Sequence, residues 1–435
     1  MLTALRYRDY RLLWSGLLIS FTGSFMQSAA LLWHVSLLVP PDRRALALGA
    51  MGLVRVGPVI MFSLISGVAA DALNRRKLML LTQCLMAIVA AFLAALTFNG
   101  LTSPTPVYIL SACSAAAGAF DLPARQALVP TLIPREHLPN AISLNTIMFQ
   151  VASVTGPALG GLLIASADVG WVYVSNALSY TAVVVALLMM SPDRGRTAHA
   201  GNTVGHRSDL TVAAALEGLR FVFTAPLIRS TMLLDFFATF FSSATALLPI
   251  FAQDVLHVGA RGYGWLFAAP AAGALLASAM MVRAVDRIER RGIVLVNAVL
   301  VYGMATIAFG VSKVFWITFA CLALTGAADT VSMVFRNLIR QLETPDALRG
   351  RMTGVNMIFF MGGPQLGELE AGLVAAWAGP VVSVVTGGIG CIASTLWVAR
   401  ATPALRAYRN RPPAIDIDPT IPAGDDRQEG RTGEL

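Results

Sequence analysis

Four charged residues stand where charge is costly. Arg55, Asp235, Glu368 and Glu370 each interrupt apolar sequence; Arg55 has Ala45 to Val54 on one side and Val56 to Ala70 on the other. An isolated arginine at bilayer depth costs about 2.5–3.5 kcal/mol on insertion scales, so it must face a partner or water. Arg55 therefore reads in two ways. It is half of a structural pair with an acid such as Glu368 or Glu370, or it recognises an anionic cargo, because a planar guanidinium matches carboxylate or catecholate oxygens. A carboxylate taken out of water holds a proton more readily, which makes Asp235, Glu368 and Glu370 the candidates for carrying protons. For Asp235, structural pairing is an equal alternative. Glu368 and Glu370 are two residues apart and point to different faces, so at most one lines a central cavity. Gln27, Trp33 and His34 share one apolar stretch and are candidates to touch cargo. The plainer reading makes His34, Trp33 and Trp265 residues of the membrane–water interface.

Other chemistries find no support. Gly-x-Ser-x-Gly, His-Glu-x-x-His and a nucleotide-binding P-loop are all absent, so an intramembrane enzyme lacks its constellation. Cys84, Cys113, Cys321 and Cys391 show no Cys-x-x-Cys spacing. Neither a metal site nor a disulfide framework is expected, and small buried apolar cysteines are the default. No cofactor is expected. A receptor or scaffold leaves the intramembrane charges without a reason.

The elements that hold these residues follow from composition. Hydrophobic residues are 56% and charged residues 13% of the chain, about half the usual charge of a soluble domain. Residues 12–41, 78–120, 137–167, 169–192, 262–282, 292–312 and 371–399 carry no Asp, Glu, Lys or Arg. A helix crossing a bilayer needs about 20 apolar residues, whereas a barrel strand needs about 10 in alternation. The runs fit helices. Divided at Gly, Pro and Asn, they predict twelve spans at 12–38, 45–70, 78–98, 105–128, 140–166, 170–191, 227–252, 262–282, 293–311, 314–338, 352–376 and 380–399. The first is too long to be a signal peptide.

The net charge of +8 does not indicate nucleic acid, because the basic residues collect in alternate loops. Arg6, Arg8 and Arg11, Arg75 to Lys77, Arg135, Arg283 to Arg291, Arg340 to Arg351 and Arg406 to Arg411 fall on one side; Arg43, Arg44, Arg261 and Lys313 fall on the other. The positive-inside rule then places both termini in the cytoplasm. Residues 192–226 are a polar cytoplasmic linker whose end, from Ser208 or Asp209, suits an amphipathic surface helix. Residues 401–435, rich in Pro, Gly and charge, are expected to be a disordered cytoplasmic tail.

A repeat joins the two halves. Gly156-Pro157-Ala158-Leu159-Gly160 returns half a chain later as Gly363-Pro364-Gln365-Leu366-Gly367. Asp121 and Arg125 have counterparts in Asp329 and Arg336; spacings of four and seven put acid and base on one helix face. Two related bundles, 1–191 and 227–400, can rock around a site held between them. The repeated glycines are expected to pack helices closely, with a hinge role added at Gly156, Pro157, Gly160, Gly161, Gly363, Pro364 and Gly367.

The segment Gly67-Val68-Ala69-Ala70-Asp71-Ala72-Leu73-Asn74-Arg75-Arg76-Lys77 follows the second span. It resembles the signature loop of the major facilitator superfamily. Arg8-Asp9-Tyr10-Arg11-Leu12-Leu13-Trp14, Pro123-Ala124-Arg125-Gln126-Ala127, Leu248-Pro249-Ile250-Phe251-Ala252 and Pro345 to Arg351 are similar to the branch of bacterial drug and siderophore exporters. The resemblance implies an all-α membrane protein with the major facilitator fold, twelve transmembrane helices in two pseudo-symmetric six-helix bundles. It implies a monomer in the bacterial inner membrane that exports a small amphipathic compound by proton antiport and alternating access. An importer or lipid flippase of the same fold is the alternative. Gly67, Asp71, Arg75, Arg76, Lys77, Asp121 and Arg125 would form the gating motif, with Asp71, Arg75 and Asp121 latching the cytoplasmic side in the outward-open state. Gly156, Pro157, Gly160 and Gly161 resemble the fifth-span antiporter motif, whose fuller glycine pattern is incomplete here.

Overall fold

Long charge-poor runs punctuated by Pro, Gly and Asn give long helices with short turns, and the turns follow those residues. In a computed structural model the first half holds α1 (Arg8–Leu38), α2 (Pro41–Ala72), α3 (Arg75–Phe98), α4 (Thr105–Leu132), α5 (Leu138–Ser166) and α6 (Val169–Met189). The second holds α7 (Pro226–Phe241), α8 (Gly259–Ala284), α9 (Arg291–Val311), α10 (Phe315–Glu343), α11 (Arg349–Ala378), α12 (Pro380–Ala401) and a short α13 (Pro403–Ala407). Residues 3–191, 220, 222–242, 244–345 and 348–410 are described. Asn74 caps α3 by accepting from the Lys77 amide, and Asp168 caps α6 by accepting from Gly170. Between α11 and α12 the chain turns at Gly379, with φ of 92°, a region open mainly to glycine. Pro380 then starts α12 at a position where its missing N–H costs nothing.

Among the described residues eleven helical spans are long and apolar enough to cross a bilayer, with α7 counted through Val255. The twelfth long helix, α11, is not among them; it carries Arg349, Arg351, Glu368 and Glu370. The helices begin and end within a few residues of the predicted spans, and most run somewhat longer. Span seven departs from a plain helix. After Phe241 it continues through 3-10 turns at Ala244–Leu247 and a π turn at Phe251–Val255.

Each half packs as one bundle. In the first, α1 lies on α5 and α6, α3 on α4 and α6, and α2 on α4. In the second, α7 lies on α11 and α12, α8 on α10, and α9 on α10 and α12. The repeat occupies equivalent seams. A Cβ on Gly156 of α5 would sit 2.6 Å from the Phe25 Cβ of α1. On Gly363 of α11 it would sit 2.4 Å from the Thr239 hydroxyl of α7. Between the bundles two further glycine pairs meet. A Cβ on Gly161 (α5) would lie 2.6 Å from the Gly264 Cα (α8), and one on Gly372 (α11) 2.6 Å from the Gly49 Cα (α2). Small residues let backbones approach where lipid offers no hydrophobic drive to associate.

Two expectations change. Residues 403–410, placed in the disordered tail, begin with packed structure. Leu405 is fully buried, the Gly292 amide donates to the Tyr408 carbonyl, and the Asn410 amide donates to the Glu289 carbonyl. The apolar Leu405 and the donors left free at the start of α9 account for this order. Cys84 and Cys113, expected to be buried, are exposed on the bundle's outer face, while Cys391 is buried; in lipid an outward apolar thiol costs little. The linker 192–226 lies outside the described residues through 219, as do residues 411–435 of the tail.

Candidate functional site

Arg55 sits midway along α2, and the bundle turns it inward rather than to lipid. It lines a cavity of about 250 Å³ in the first bundle, walled by α1, α2, α4 and α6 and reached from the second bundle by Gln365 of α11. Its Nη2 donates to the Ser28 carbonyl at 3.2 Å. Hydroxyls of Ser24, Ser28, Ser111, Ser114 and Tyr180 share the wall with Leu31, Val56 and Val59. Two polar atoms near this cavity lack hydrogen-bond partners among the described residues, Ser111 Oγ and Gln365 Oε1. A guanidinium, hydroxyls and an apolar floor suit a small amphipathic molecule with an anionic group.

Of the other predicted cargo contacts, Gln27 lines the cavity and is held there by accepting from Asn176 Nδ2 at 2.7 Å. Trp33 does not line it. It is 6% exposed and rests on Tyr263 of α8, with ring centroids 5.1 Å apart. His34 is buried beside the Tyr173 hydroxyl, 3.0 Å from Nδ1. Both are interior residues, not a surface belt, because the end of α1 is covered by the second bundle.

That end is sealed. Tyr263 donates to the Ala29 carbonyl at 2.8 Å, Gln253 Nε2 to the Ser36 hydroxyl at 2.8 Å, and Arg44 pairs with Asp254 at 3.0 Å. Leu31, Leu32, Tyr173, Leu248, Phe251 and Phe309 build one apolar core across both halves. The ends nearer the termini instead hold separate cores, one per bundle. The bonds that join the halves among the described residues lie in the sealed half. Phe251, Tyr263, Gln253 and Asp254 carried no spacing signal in the sequence. Gln365 did, since it stands within the second glycine–proline repeat.

The proton-carrier candidates occupy three settings. Glu368 is buried where α11 crosses α2, one turn from Gln365; a Cβ on Gly52 would lie 3.2 Å from its Oε2, which has no hydrogen-bond partner. Arg55 is a cation whose field acts on it, yet the two form no salt bridge. Glu370 is half-buried. Asp235 lies deep in the second bundle, 3.0 Å from Arg336 and 3.8 Å from Arg340. Arg336 also holds Asp329 at 3.2 Å, the pairing that the seven-residue spacing suggested. Arg340 in turn donates to Asn356 and Asn337.

The loop after α2 is partly described. The side chains of Gly67 and Asp71 lie outside the described residues. Arg75 donates to the Ala127 carbonyl at 3.0 Å and Arg76 to the Leu188 and Ser191 carbonyls. Leu188 stands in the last turn of α6, whose carbonyls lack helical partners and suit cations, and Ser191 lies just beyond it. Lys77 follows in the first turn of α3. Asp121 accepts from Thr82 and Gln83 at 3.0 and 2.9 Å, while Arg125 lies 4.4 Å above the Phe21 ring. The four-residue spacing places Asp121 and Arg125 on one face, but the nearer neighbours take each of them.

Comparison with known proteins agrees with this architecture. The chain is 27% identical over 367 residues to an enterobactin exporter of Shigella boydii serotype 18, covering 82% of this chain and 84% of that one. It is 26% identical over the same shares to the enterobactin exporter of Escherichia coli O1:K1. Among solved structures, a bacterial homologue of the human lysosomal transporter Spinster, inward-facing and unoccupied, matches with a TM-score of 0.71 at 17% identity, covering 93% of this chain and 99% of that one. A bacterial homologue of the iron transporter ferroportin matches with a TM-score of 0.63 at 17% identity, over 89% and 98%. The family model of the transmembrane secretion effectors spans residues 1–414. That match covers nearly the whole chain, including both helical halves and the repeat that packs equivalent seams, and the chain belongs to this family within the major facilitator superfamily.

Proposed function

We propose that the protein is a bacterial inner-membrane exporter, acting as a monomer, that moves a small amphipathic compound bearing an anionic group out of the cytoplasm in exchange for protons. The observation that carries this reading is Arg55 in a cavity of the first bundle that faces Gln365 of the second, with the two bundles bonded together at one end. A cation held in a hydroxyl-lined, partly apolar space selects for an anion attached to an apolar body. The seal of Trp33, Tyr263, Arg44 and Asp254 suits one half of an alternating-access cycle, with cargo loading from the side of the basic loops. Relatives that export enterobactin support a siderophore-like metabolite over a lipophilic cation as cargo. A drug with an acidic group fits the same site.

For coupling we place the exchanged proton on Glu368. It is buried without a hydrogen-bond partner at the α2–α11 crossing, one turn from the cavity wall. Glu370, half-buried two residues on, is the weaker candidate. The loop from Gly67 to Lys77, with Asp121 and Arg125, is proposed to gate the basic side. Gly156, Pro157, Gly160, Gly161, Gly363, Pro364 and Gly367 are proposed to let the seams shift as the bundles rock.

The test uses energised inside-out vesicles, a pH-sensitive dye and enterobactin as first probe, beside a panel of lipophilic cations. Enterobactin is expected to collapse the proton gradient in the wild type and not in Glu368→Gln. A response to the cations alone, or uptake in the opposite direction, overturns the reading.

A further inference from the structure

The second bundle holds a polar chamber that the cargo site does not use. It holds about 120 Å³ among α8, α9, α10 and the stretch of span seven just after α7, at Ser242 and Thr245. A buried water needs only about 10–15 Å³ of such space and two to four polar partners, so the chamber has room for several. Ser242, Thr245, Tyr302, Thr306 and Thr325 supply hydroxyls, and Asp329 supplies the one carboxylate on the wall. Ser242 is 7% exposed, and its hydroxyl has no hydrogen-bond partner among the described residues.

Asp329 shares a cation with a second acid. One nitrogen of Arg336, Nη2, meets Asp235 at 3.0 Å and Asp329 at 3.2 Å. The two acids are not equivalent. The Asp235 side chain is 5% exposed and has Arg340 as a second cation; the Asp329 side chain is 41% exposed and has Arg336 alone. Arg336 itself is 2% exposed and keeps Nε and Nη1 without partners, so its guanidinium is under-used. Loss of one acid would leave Asp235 with both arginines.

The first bundle offers an internal control. Asp121 is the repeat counterpart of Asp329, on the equivalent helix α4. It is 5% exposed and accepts from the neutral donors Thr82 and Gln83. The same position is thus closed off in one half and opens onto a hydroxyl-lined chamber beside an arginine in the other.

We propose that Asp329 is a proton-binding site of the second bundle, reached through the chamber among α8, α9, α10 and the stretch of span seven just after α7, with Asp235 as the fixed counter-ion of Arg336 and Arg340. A hydronium or water in the chamber gives its proton to an Asp329 carboxylate oxygen and leaves as water or hydroxide. The Arg336–Asp329 contact is lost, and Arg336 stays on Asp235. The charged and titratable groups facing Asp329 are Arg336 on its own helix, Asp235 on α7, Tyr302 on α9 and Cys391 on α12, while Arg340 faces Asp235; α8 contributes Pro270 to the wall. This inference rests on the proton-coupled reading for its role in transport, but the site itself can be read without any cargo.

The experiment is an infrared pH titration of the full-length protein in lipid nanodiscs, carried out with and without carboxyl-13C aspartate. A protonated-carboxyl band that appears as pH falls through the neutral range, shifts with labelled aspartate and is lost in Asp329→Asn is the expected result. Asp329→Glu, which keeps the charge, should retain a titrating band that no longer responds to the aspartate label. No titrating aspartate band in the wild type, or one unchanged in Asp329→Glu, overturns the proposal even if Asp329→Asn does not fold. A band behaving as expected, with no pH response to enterobactin in vesicles, leaves the site standing and counts against proton antiport.

Discussion

At the residue scale, the charges inside the bundles divide into those satisfied by neighbours and those left open. Asp235 belongs to the first group: two arginines flank it and all three are nearly inaccessible. Replacing it by alanine leaves buried Arg340 with no acid beside it among the described residues and Arg336 with Asp329 alone; removing one partner of a buried pair costs about 3–5 kcal/mol. Asp235→Ala should therefore lower the thermal midpoint of the purified protein sharply, read by a fluorescence-detected melt. An unchanged melt would mean the cluster is solvated. Arg55 belongs to the second group. Arg55→Lys keeps the charge but loses the planar fork, so enterobactin-driven proton movement should weaken in it and vanish in Arg55→Gln, with the melt of each close to wild type. Equal transport by all three would remove Arg55 from cargo recognition. Arg55 and the acids were legible in the sequence because an intramembrane charge is a signal in itself. Which charges meet was only partly legible. The spacing within α10 gave Asp329 and Arg336, but Asp235 joins them from another helix, and Arg125 prefers the Phe21 ring.

At the element scale, twelve helices were legible from charge-free runs and their Pro, Gly and Asn punctuation. Periodicity does not reveal crossings between distant helices. The repeat drew attention to Gly156 and Gly363, which pack inside their own bundles. The contacts between bundles fall instead on Gly161 with Gly264 and on Gly49 with Gly372, and all four lie outside the repeated pentapeptide. The irregular end of span seven was likewise hidden, since the helix predicted over 227–252 gives no sign of the 3-10 turn at Ala244–Leu247 or of the π turn at Phe251–Val255. Gly264→Leu should force α5 and α8 apart at the seal, as overpacking at a close crossing costs about 1–3 kcal/mol. Spin labels placed on the α1–α2 and α7–α8 connections should then report longer distances than in the wild type. Unchanged distances would show that the seal does not depend on this crossing.

At the scale of the whole molecule, basic loops at the end that carries the termini predict a cytoplasmic C-terminus. A fluorescent protein fused after Leu435 should glow, and a phosphatase fused there should be inactive; the reverse pattern would invert every assignment of side. On that orientation the Arg44–Asp254 pair faces the exterior, with side-chain exposures of 13% and 53%. Asp254 is the exposed member of the seal among the described residues. Charge attraction between exposed groups fades over about 8 Å at physiological ionic strength and about 3 Å at 1 M salt. The apolar stack beneath, Trp33 on Tyr263, gains nothing from dilution. On that orientation, salt outside the cell is expected to loosen this outer clasp and dilution to tighten it.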